Sequence, residues 1–361
     1  MALVVLRLSI GWHFLYEGAW KIDNADKFSA LPFLTLSKGP FAPIFYAMAP
    51  DLDGVERLRT EEKEVTFFTP TNRKVDVKKP GDSGFEGQEP AVVTSRELVE
   101  KKETITIYPA YFYPVEKIYD QVLQKYAPEG EQLQQFQVAW GNFIAAMNAF
   151  AKGNQEEIEG YLGSLKRFQE AKAAKNNGPE QKKRQWSEML KLRGEAKGFL
   201  NELDALAVAF CDEIYGSLTV DQKKIAMPEF VVATDQLPYG IHLPLVGSSW
   251  TKFLDFTVTW ALTLIGVCLI LGFCTRLAAI GGGCFLISVL MTQPPWPTIF
   301  PPVHPEVGHA LVVDKNFVEM VAIFMLATLP VGRWGGLDFF VWNWIGKPLF
   351  RYLGWYIEED K

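Results

Sequence analysis

The sequence predicts a membrane protein of the all-α class: a bundle of four transmembrane helices into which a mainly helical α+β soluble domain is inserted. Charge distribution is the first observation behind this prediction. Residues 51–250 hold 31 acidic and 25 basic residues, 56 of the 78 in the chain, and the other 161 residues hold only 22. Long apolar runs are the second, and they lie in the charge-poor ends. Apolar ends around a polar middle are typical of a membrane bundle with a soluble insertion.

The first predicted transmembrane helix comprises residues 1–21. About 20 residues at roughly 1.5 Å each match a hydrocarbon core of about 30 Å. Arg7, His13 and Glu17 interrupt the apolar run, and such groups normally face a protein interior or a wet cavity. We therefore expect the other helices to cover them. A cleaved signal peptide is disfavoured, because no basic residue precedes Arg7 and no small-residue cleavage site follows.

Three more apolar runs, within residues 251–334, complete the predicted bundle. The runs are 254–273, 277–291 and 317–331, of which the last two have 15 residues each and must borrow flanking residues or lie in thin membrane. Glycines 281–283 would permit close helix contact. Two flanking segments, 22–50 with four prolines and 335–361 with aromatic residues around Lys347 and Arg351, are predicted to lie at the membrane surface.

The inserted domain, residues 51–250, is predicted to combine a small β part with a helical majority. Its apolar residues recur near helical period over 115–218, with a turn at 176–179, and a proline-rich connector covers 219–250. Three short runs rich in β-branched or aromatic residues predict strands: 65–68, 91–94 and 104–108.

The composition narrows the range of functions. A net charge of −6 without a basic patch gives no support for nucleic-acid binding, so we expect no nucleic-acid partner. The four cysteines form no C-x-x-C pair and have no histidine at metal-ligand spacing, so we expect no metal site. No catalytic motif of the serine hydrolase, zinc protease or P-loop type occurs, and whether the protein is an enzyme stays open.

Four short motifs, taken in order, carry a resemblance to the DoxX family of four-helix bacterial membrane proteins. The first helix reads R-x-x-x-G-W-x-F-x-x-E-G-x-x-K, with Arg7, Gly11, Trp12, Phe14, Glu17, Gly18 and Lys21. An L-G-x-x-T-R turn follows the second span, with Leu271, Gly272, Thr275 and Arg276. K-N-x-x-E opens the fourth span, with Lys315, Asn316 and Glu319, and G-R-W-x-x-L-D closes it, with Gly332, Arg333, Trp334, Leu337 and Asp338.

The resemblance covers about residues 1–21 and 251–340, and the insertion of roughly 200 residues departs from the compact family pattern. It implies a multi-pass protein of the bacterial inner membrane, and some family members are subunits of thiosulfate:quinone oxidoreductase or other redox assemblies. The basic residues of the short loops favour cytoplasmic termini. Residues 22–250 and 292–316 would then lie in the periplasm or outside. Gly11, Gly18, Arg276, Arg333 and Asp338 are expected to be structural.

The polar residues of the bundle are the candidate functional site. His13, Glu17 and Lys21 share one helix face, and Asn316 and Glu319 enter from the same outer side. These groups could exchange protons or bind a quinone headgroup, and a quinone is the one cofactor suggested. A buried network that fixes helix packing is the alternative. Arg7 lies about 120° from His13 around the helix and could snorkel to the cytoplasmic surface.

Three classes of function therefore stay open. The first is a membrane subunit of a quinone-linked redox assembly, with a redox protein as its partner. The second is a non-catalytic membrane anchor or assembly factor that displays the inserted domain to an extracytoplasmic partner. The third is a bundle that binds or transports a small solute or membrane lipid, and no specific motif supports this class.

Overall fold

The computed structural model describes residues 1–75, 93–173, 178–297, 299 and 311–352. Most of these residues are helical, and two strands form the one sheet found among them. The mainly helical class with a small β part is therefore confirmed. Several predicted features fall partly outside the described residues: the run 91–94, the turn 176–179, the loop 292–316 and the end of the segment 335–361.

The elements follow in this order: α1 (Ala2–Asp23), α2 (Leu31–Thr35), α3 (Ala42–Met48), β1 (Glu61–Val75), β2 (Val93–Ile107), α4 (Pro109–Tyr126), α5 (Gly130–Ala173), α6 (Pro179–Gly216), α7 (Trp250–Leu271), α8 (Thr275–Thr292), α9 (Lys315–Thr328), α10 (Asp338–Val341) and α11 (Lys347–Tyr352). A π-helical stretch, Trp342–Gly346, joins α10 to α11.

The chain forms two compact units. The bundle unit consists of Met1–Leu52, Lys175–Ser187 and Leu237–Lys361, and the inserted unit consists of Asp53–Ala174 and Glu188–Gln236. The inserted unit thus lies within the predicted domain 51–250, and the last part of the predicted connector belongs to the bundle unit.

The bundle unit is built around four long helices. α1 packs against α7, α7 against α8, α8 against α9, and α9 against α1, so the four helices close on one another. Their shared core is apolar: Ile10, Phe14, Leu262, Leu269, Ala279, Leu286, Ile323 and Leu326. On α8, Gly282 and Gly283 face Ile323 and Phe324 of α9, where a Cβ atom on either glycine would meet the facing side chain. The predicted role of this glycine run in close helix contact agrees with that packing.

Two of the four predicted spans meet the requirements for crossing a membrane by length and composition. These two spans are α7 and α8. Two such helices indicate a membrane protein only weakly. With 14 residues α9 is about 21 Å long, shorter than a hydrocarbon core of about 30 Å. The apolar run of α1 is interrupted by charged side chains, which lowers its hydropathy.

The segment 22–50 contains two short helices, both with a proline in the first turn, where its missing N–H costs nothing. Leu34 of α2 and Phe45 of α3 form a small core of their own. Backbone and side chains tie the segment to the start of α7, because Trp250 donates from Nε1 to the Met48 carbonyl at 2.7 Å. Asp255 accepts a hydrogen bond from the backbone N–H of Ala30 at 2.6 Å.

The sheet of the inserted unit is one long antiparallel hairpin. β1 and β2 pair from Glu61 opposite Ile107 to Val75 opposite Val93. The predicted run 65–68 lies within β1, and the predicted run 104–108 lies in β2 except for its last residue, Tyr108, which is the N-cap of α4. Charged residues continue the strands because backbone hydrogen bonds make the ladder whatever the side chain. Cross-strand charge pairs such as Lys102 with Glu64, at 2.8 Å, add to it.

An aromatic core joins the helices of the inserted unit. The Tyr119 and Trp140 rings are stacked, with centroids 5.0 Å apart and planes 9° from parallel, and Phe143 and Phe210 pack around the Trp140 ring. Trp140 also donates from Nε1 to the Thr66 carbonyl of β1 at 3.3 Å. The helix α5 and the hairpin are therefore fixed to each other by an aromatic side chain with a polar edge.

Candidate functional site

The predicted polar site contains one contact between helices. His13 Nδ1 of α1 lies 2.8 Å from Glu319 Oε1 of α9. The His13 side chain is 57% exposed and that of Glu319 is 19% exposed. An imidazole beside a carboxylate can pass a proton between the two groups, and this pair can be reached from the outside of the bundle.

The other polar residues of the predicted site are engaged elsewhere. Lys21 donates to Glu17 at 2.9 Å within α1, so this carboxylate pairs along its own helix. Asn316 donates from Nδ2 to Asp314 Oδ2 at 3.3 Å. Asp314 in turn accepts from the backbone N–H of Phe317 at 2.7 Å and caps α9. The structure thus brings together His13 and Glu319, and separates the predicted set into local pairs.

Arg7 does not snorkel to a surface. It is 1% exposed, and its guanidinium donates from Nη1 to the Val331 carbonyl at 3.2 Å and from Nη2 to the Gly335 carbonyl at 3.4 Å. The alternative in which Arg7 snorkels is therefore wrong. Of the three residues that the other helices were expected to cover, Arg7 is buried, whereas the side chains of His13 and Glu17 are about half exposed. Carbonyl groups of the segment after α9 lie close enough to satisfy part of the guanidinium, and this keeps the charge inside the bundle end.

Asp338 holds together the end of the bundle where Arg7 lies. One oxygen accepts from the Cys274 N–H at 2.7 Å and the other from the Thr275 N–H at 3.0 Å, at the start of α8. The N–H of Asp338 donates to the Gly272 carbonyl at 2.7 Å, at the end of α7. The segment after α9 thereby satisfies backbone groups of two helix ends at once.

Glycines make this arrangement possible. A Cβ atom on Gly272 or Gly336 would collide with Arg7 Nη1, and one on Gly332 would collide with the Asp338 carboxylate and the Thr275 hydroxyl. Gly272 also has φ +63°, a left-handed conformation that ends α7. Residues from three of the four motifs that carry the resemblance therefore meet here.

The glycines of the first motif serve the contact between α1 and α7. A Cβ atom on Gly18 would lie 2.7 Å from the Thr263 nitrogen, and one on Gly11 would lie 2.9 Å from the Leu269 Cβ. Gly266 of α7 faces the backbone of Leu15 in the same way. These small residues let the two helix backbones approach closely.

An open pocket lies beside Asp338, with a volume of about 310 Å³. Arg276 and Arg333 line it, and the Arg333 guanidinium carbon lies 3.7 Å from the ring centroid of Trp342. Burial lowers the pKa of Arg333, the positive charge of Arg276 lowers it further, and the Asp338 carboxylate opposes both. Sequence analysis missed this pocket, although both arginines stand in the motifs.

The described part of the chain contains neither a metal cluster nor a disulfide. No group of three or more His, Cys, Asp or Glu side chains is placed to hold a metal ion there. Cys211, Cys268, Cys274 and Cys284 are free thiols. Burial, with Asp212 nearby, raises the pKa of Cys211 to about 11, which makes this thiol a poor nucleophile at neutral pH.

Comparison of the chain with protein-family models, with curated proteins and with solved structures finds no match. Function must therefore be argued from the geometry.

Proposed function

We propose that the chain is a DoxX-like integral protein of a bacterial inner membrane, whose four-helix bundle anchors a folded extracytoplasmic domain that binds a protein partner. The observation that carries this proposal is the inserted unit. It has its own aromatic core around Trp140 and its own hairpin, and a core of its own is what an independently folding domain requires.

The bundle supports the anchor role through the way in which its charges are used. Arg7 and Asp338 hold helix ends and a following segment in place, and Glu17 pairs with Lys21. Groups that satisfy one another in this way stabilise a membrane bundle without chemistry. The closed packing of α1, α7, α8 and α9 favours four spans, with the short α9 accommodated by locally thin membrane or by flanking residues.

Membrane topology is tested by thiol labelling in intact cells. Cys274 is exposed in the turn between α7 and α8, so a variant that keeps only this cysteine reports that turn. A second variant, with Lys166→Cys as its one cysteine, reports the inserted unit. We expect a membrane-impermeant maleimide to label position 166 in intact spheroplasts and Cys274 only after permeabilisation. Labelling of Cys274 in intact spheroplasts would refute the topology.

The anchor role itself is tested by replacing the bundle. Residues 53–236 are fused to an unrelated single transmembrane helix and expressed in a strain that lacks the natural chain. If the bundle only anchors the domain, the fusion restores the natural phenotype to the deletion strain. Loss of function despite normal membrane location and normal abundance would show that the bundle does more.

A second candidate function is a membrane subunit of a quinone-linked redox assembly, and one observation favours it. The His13–Glu319 pair joins two helices and is open to the outside of the bundle, where a quinone headgroup could reach it. The remaining support is the family resemblance.

This second candidate is tested by extracting bound quinone from the protein purified in mild detergent. If this candidate holds, quinone copurifies with the natural chain and is lost in Glu319→Gln, because Gln keeps size and much of the hydrogen bonding but carries no proton. Asp26→Asn, a change at an exposed residue after α1, is the matched control. Absence of quinone from the natural chain, or its retention in Glu319→Gln, would reject this candidate.

A further inference from the structure

The pocket beside Asp338 is large enough to hold a small ligand group. Its volume of about 310 Å³ lies at the lower end of the range for small-ligand sites. It opens where α8 begins and α9 has ended, and its wall includes Leu277, Leu329 and Val341 besides the two arginines. A ligand here would meet both apolar and cationic side chains.

Positive charge dominates this pocket. Asp338 is the acidic side chain that lines it, and both oxygens of Asp338 already accept backbone N–H groups. Buried Arg7 interacts with Asp338 electrostatically. Among the residues that the structure describes, the pocket is thus lined by one carboxylate, which is already engaged, and by the two guanidinium groups of Arg276 and Arg333. The balance favours an anionic ligand with two or more oxygens.

The start of α8 adds to this preference. Asp338 takes the N–H groups of Cys274 and Thr275, and the next two, of Arg276 and Leu277, have no partner within a helix that starts at Thr275. The positive end of the helix dipole points the same way. The Arg333 guanidinium carbon lies 3.7 Å from the centroid of the Trp342 ring, and a guanidinium packed on an aromatic ring can still donate to an oxyanion from its edge.

The segment that contributes Arg333, Asp338 and Trp342 to the pocket also carries exposed aromatic side chains. Trp334, Phe339, Phe340 and Trp344 are between 48% and 77% exposed. Aromatic residues of this kind are enriched where membrane and water meet, at the depth of lipid headgroups. The cationic pocket therefore matches the headgroup of a lipid, and the exposed aromatic side chains of the same segment match its acyl chains.

We propose that Arg276 and Arg333 bind the phosphate group of a net anionic phospholipid, with Trp342 beside the headgroup and the aromatic segment 334–344 along the acyl-chain boundary. The inference rests on the proposed membrane location, and the proposed topology places this end of the bundle in the cytoplasmic leaflet, which is rich in anionic lipid. It does not depend on the partner of the inserted domain.

The experiment measures lipid binding to the full chain in detergent by native mass spectrometry. Phosphatidylglycerol, phosphatidylcholine and inorganic phosphate are titrated separately. We expect phosphatidylglycerol to bind about tenfold more tightly than phosphatidylcholine, and the double variant Arg276→Gln/Arg333→Gln to lose about that factor. Lys315→Gln, an exposed basic residue that begins α9 at the opposite end of the bundle, is the matched control and should bind as the natural chain does.

Several results would overturn the proposal. Equal affinity of the natural chain for the two lipids would do so without any variant, which matters if the double variant folds poorly. Unchanged phosphatidylglycerol binding in a folded double variant would also do so, and so would inorganic phosphate that competes fully with the lipid at similar concentration. Membrane location is measured independently by the thiol labelling, so a failure of lipid binding and a failure of the proposed topology are distinguishable.

Discussion

The Asp338 carboxylate lies 2.7 Å from the backbone nitrogen of Cys274 and caps α8 from 64 positions further along the chain. The N-cap residue of α8 is Cys274 itself, whose side chain makes no capping hydrogen bond. A cap that normally comes from the local sequence is thus supplied by a distant segment. The stability of the turn between α7 and α8 therefore depends on residues that follow α9.

Replacement of Asp338 by Ala should destabilise the bundle end. Loss of the cap alone costs about 1 to 2 kcal/mol. The total cost should be larger than this, because buried Arg7 also loses a nearby negative charge. Asp338→Asn keeps one acceptor oxygen and should cost less. Thermal unfolding in detergent, followed by fluorescence-detected size exclusion, measures the relative stability of the variants. The control Asp26→Ala should be as stable as the natural chain. Equal stability of all three variants would contradict the role of Asp338.

Replacement of Gly18 or Gly266 by Ala should loosen the contact between α1 and α7. An added Cβ atom on either glycine would meet the backbone of the facing helix, and such overpacking costs about 1 to 3 kcal/mol. Gly160→Ala on α5 is the control, because no atom lies within 4 Å of its Cβ position and Ala favours a helix over Gly. If Gly18→Ala were as stable in detergent as the natural chain, this would contradict the close approach of the two helices.

Residues 53–236, which comprise the inserted unit together with residues 175–187, should fold alone and unfold cooperatively in urea. Trp140→Ala should cost about 3 to 5 kcal/mol, since it removes the ring on which Tyr119 stacks and leaves a cavity among aromatic side chains. Val208→Ala, at an exposed position of α6, should change the free energy of unfolding little. A gradual, non-cooperative urea transition of the natural sequence would show that the unit needs the bundle to fold.

Alkaline pH should unfold the inserted unit in a defined window. Burial raises the pKa of Tyr108 and of Tyr119 to about 12, from an ordinary value of about 10. The stability that the two phenols contribute is therefore complete below about pH 10 and is lost as the pH rises through about 12.

Ultraviolet absorbance at high pH, recorded together with circular dichroism, checks this window. Tyr108→Phe and Tyr119→Phe should each remove one phenol from the late ionisation step, and Tyr215→Phe, at an exposed position, should leave that step unchanged. Early ionisation of both tyrosines in the folded unit would contradict their burial.

Much of the bundle could be predicted from the sequence because its signals are local. Apolar runs and turn residues indicated helices close to α1, α7, α8 and α9, and a helical period predicted the helices of the inserted unit. Charge density separated the insertion from the bundle. The pairing of β1 with β2 over 15 residues was less accessible, because backbone hydrogen bonds carry charged residues through a strand whose local pattern looks interrupted.

The site shows the limit of such reasoning. Spacing placed His13, Glu17 and Lys21 on one face, and the sequence by itself determined that these residues and Glu319 would need partners in an apolar setting. Which partners they have was decided by the tertiary structure: His13 contacts Glu319, and Glu17 contacts Lys21. Arg7 meets the carbonyl groups of a segment more than 300 positions away. Helical period fixes only the direction in which a side chain points from its own helix. Its partner depends on the height and rotation at which separate helices pack. Glycines such as Gly18 and Gly272 set this packing, and their effect appears only where two backbones meet.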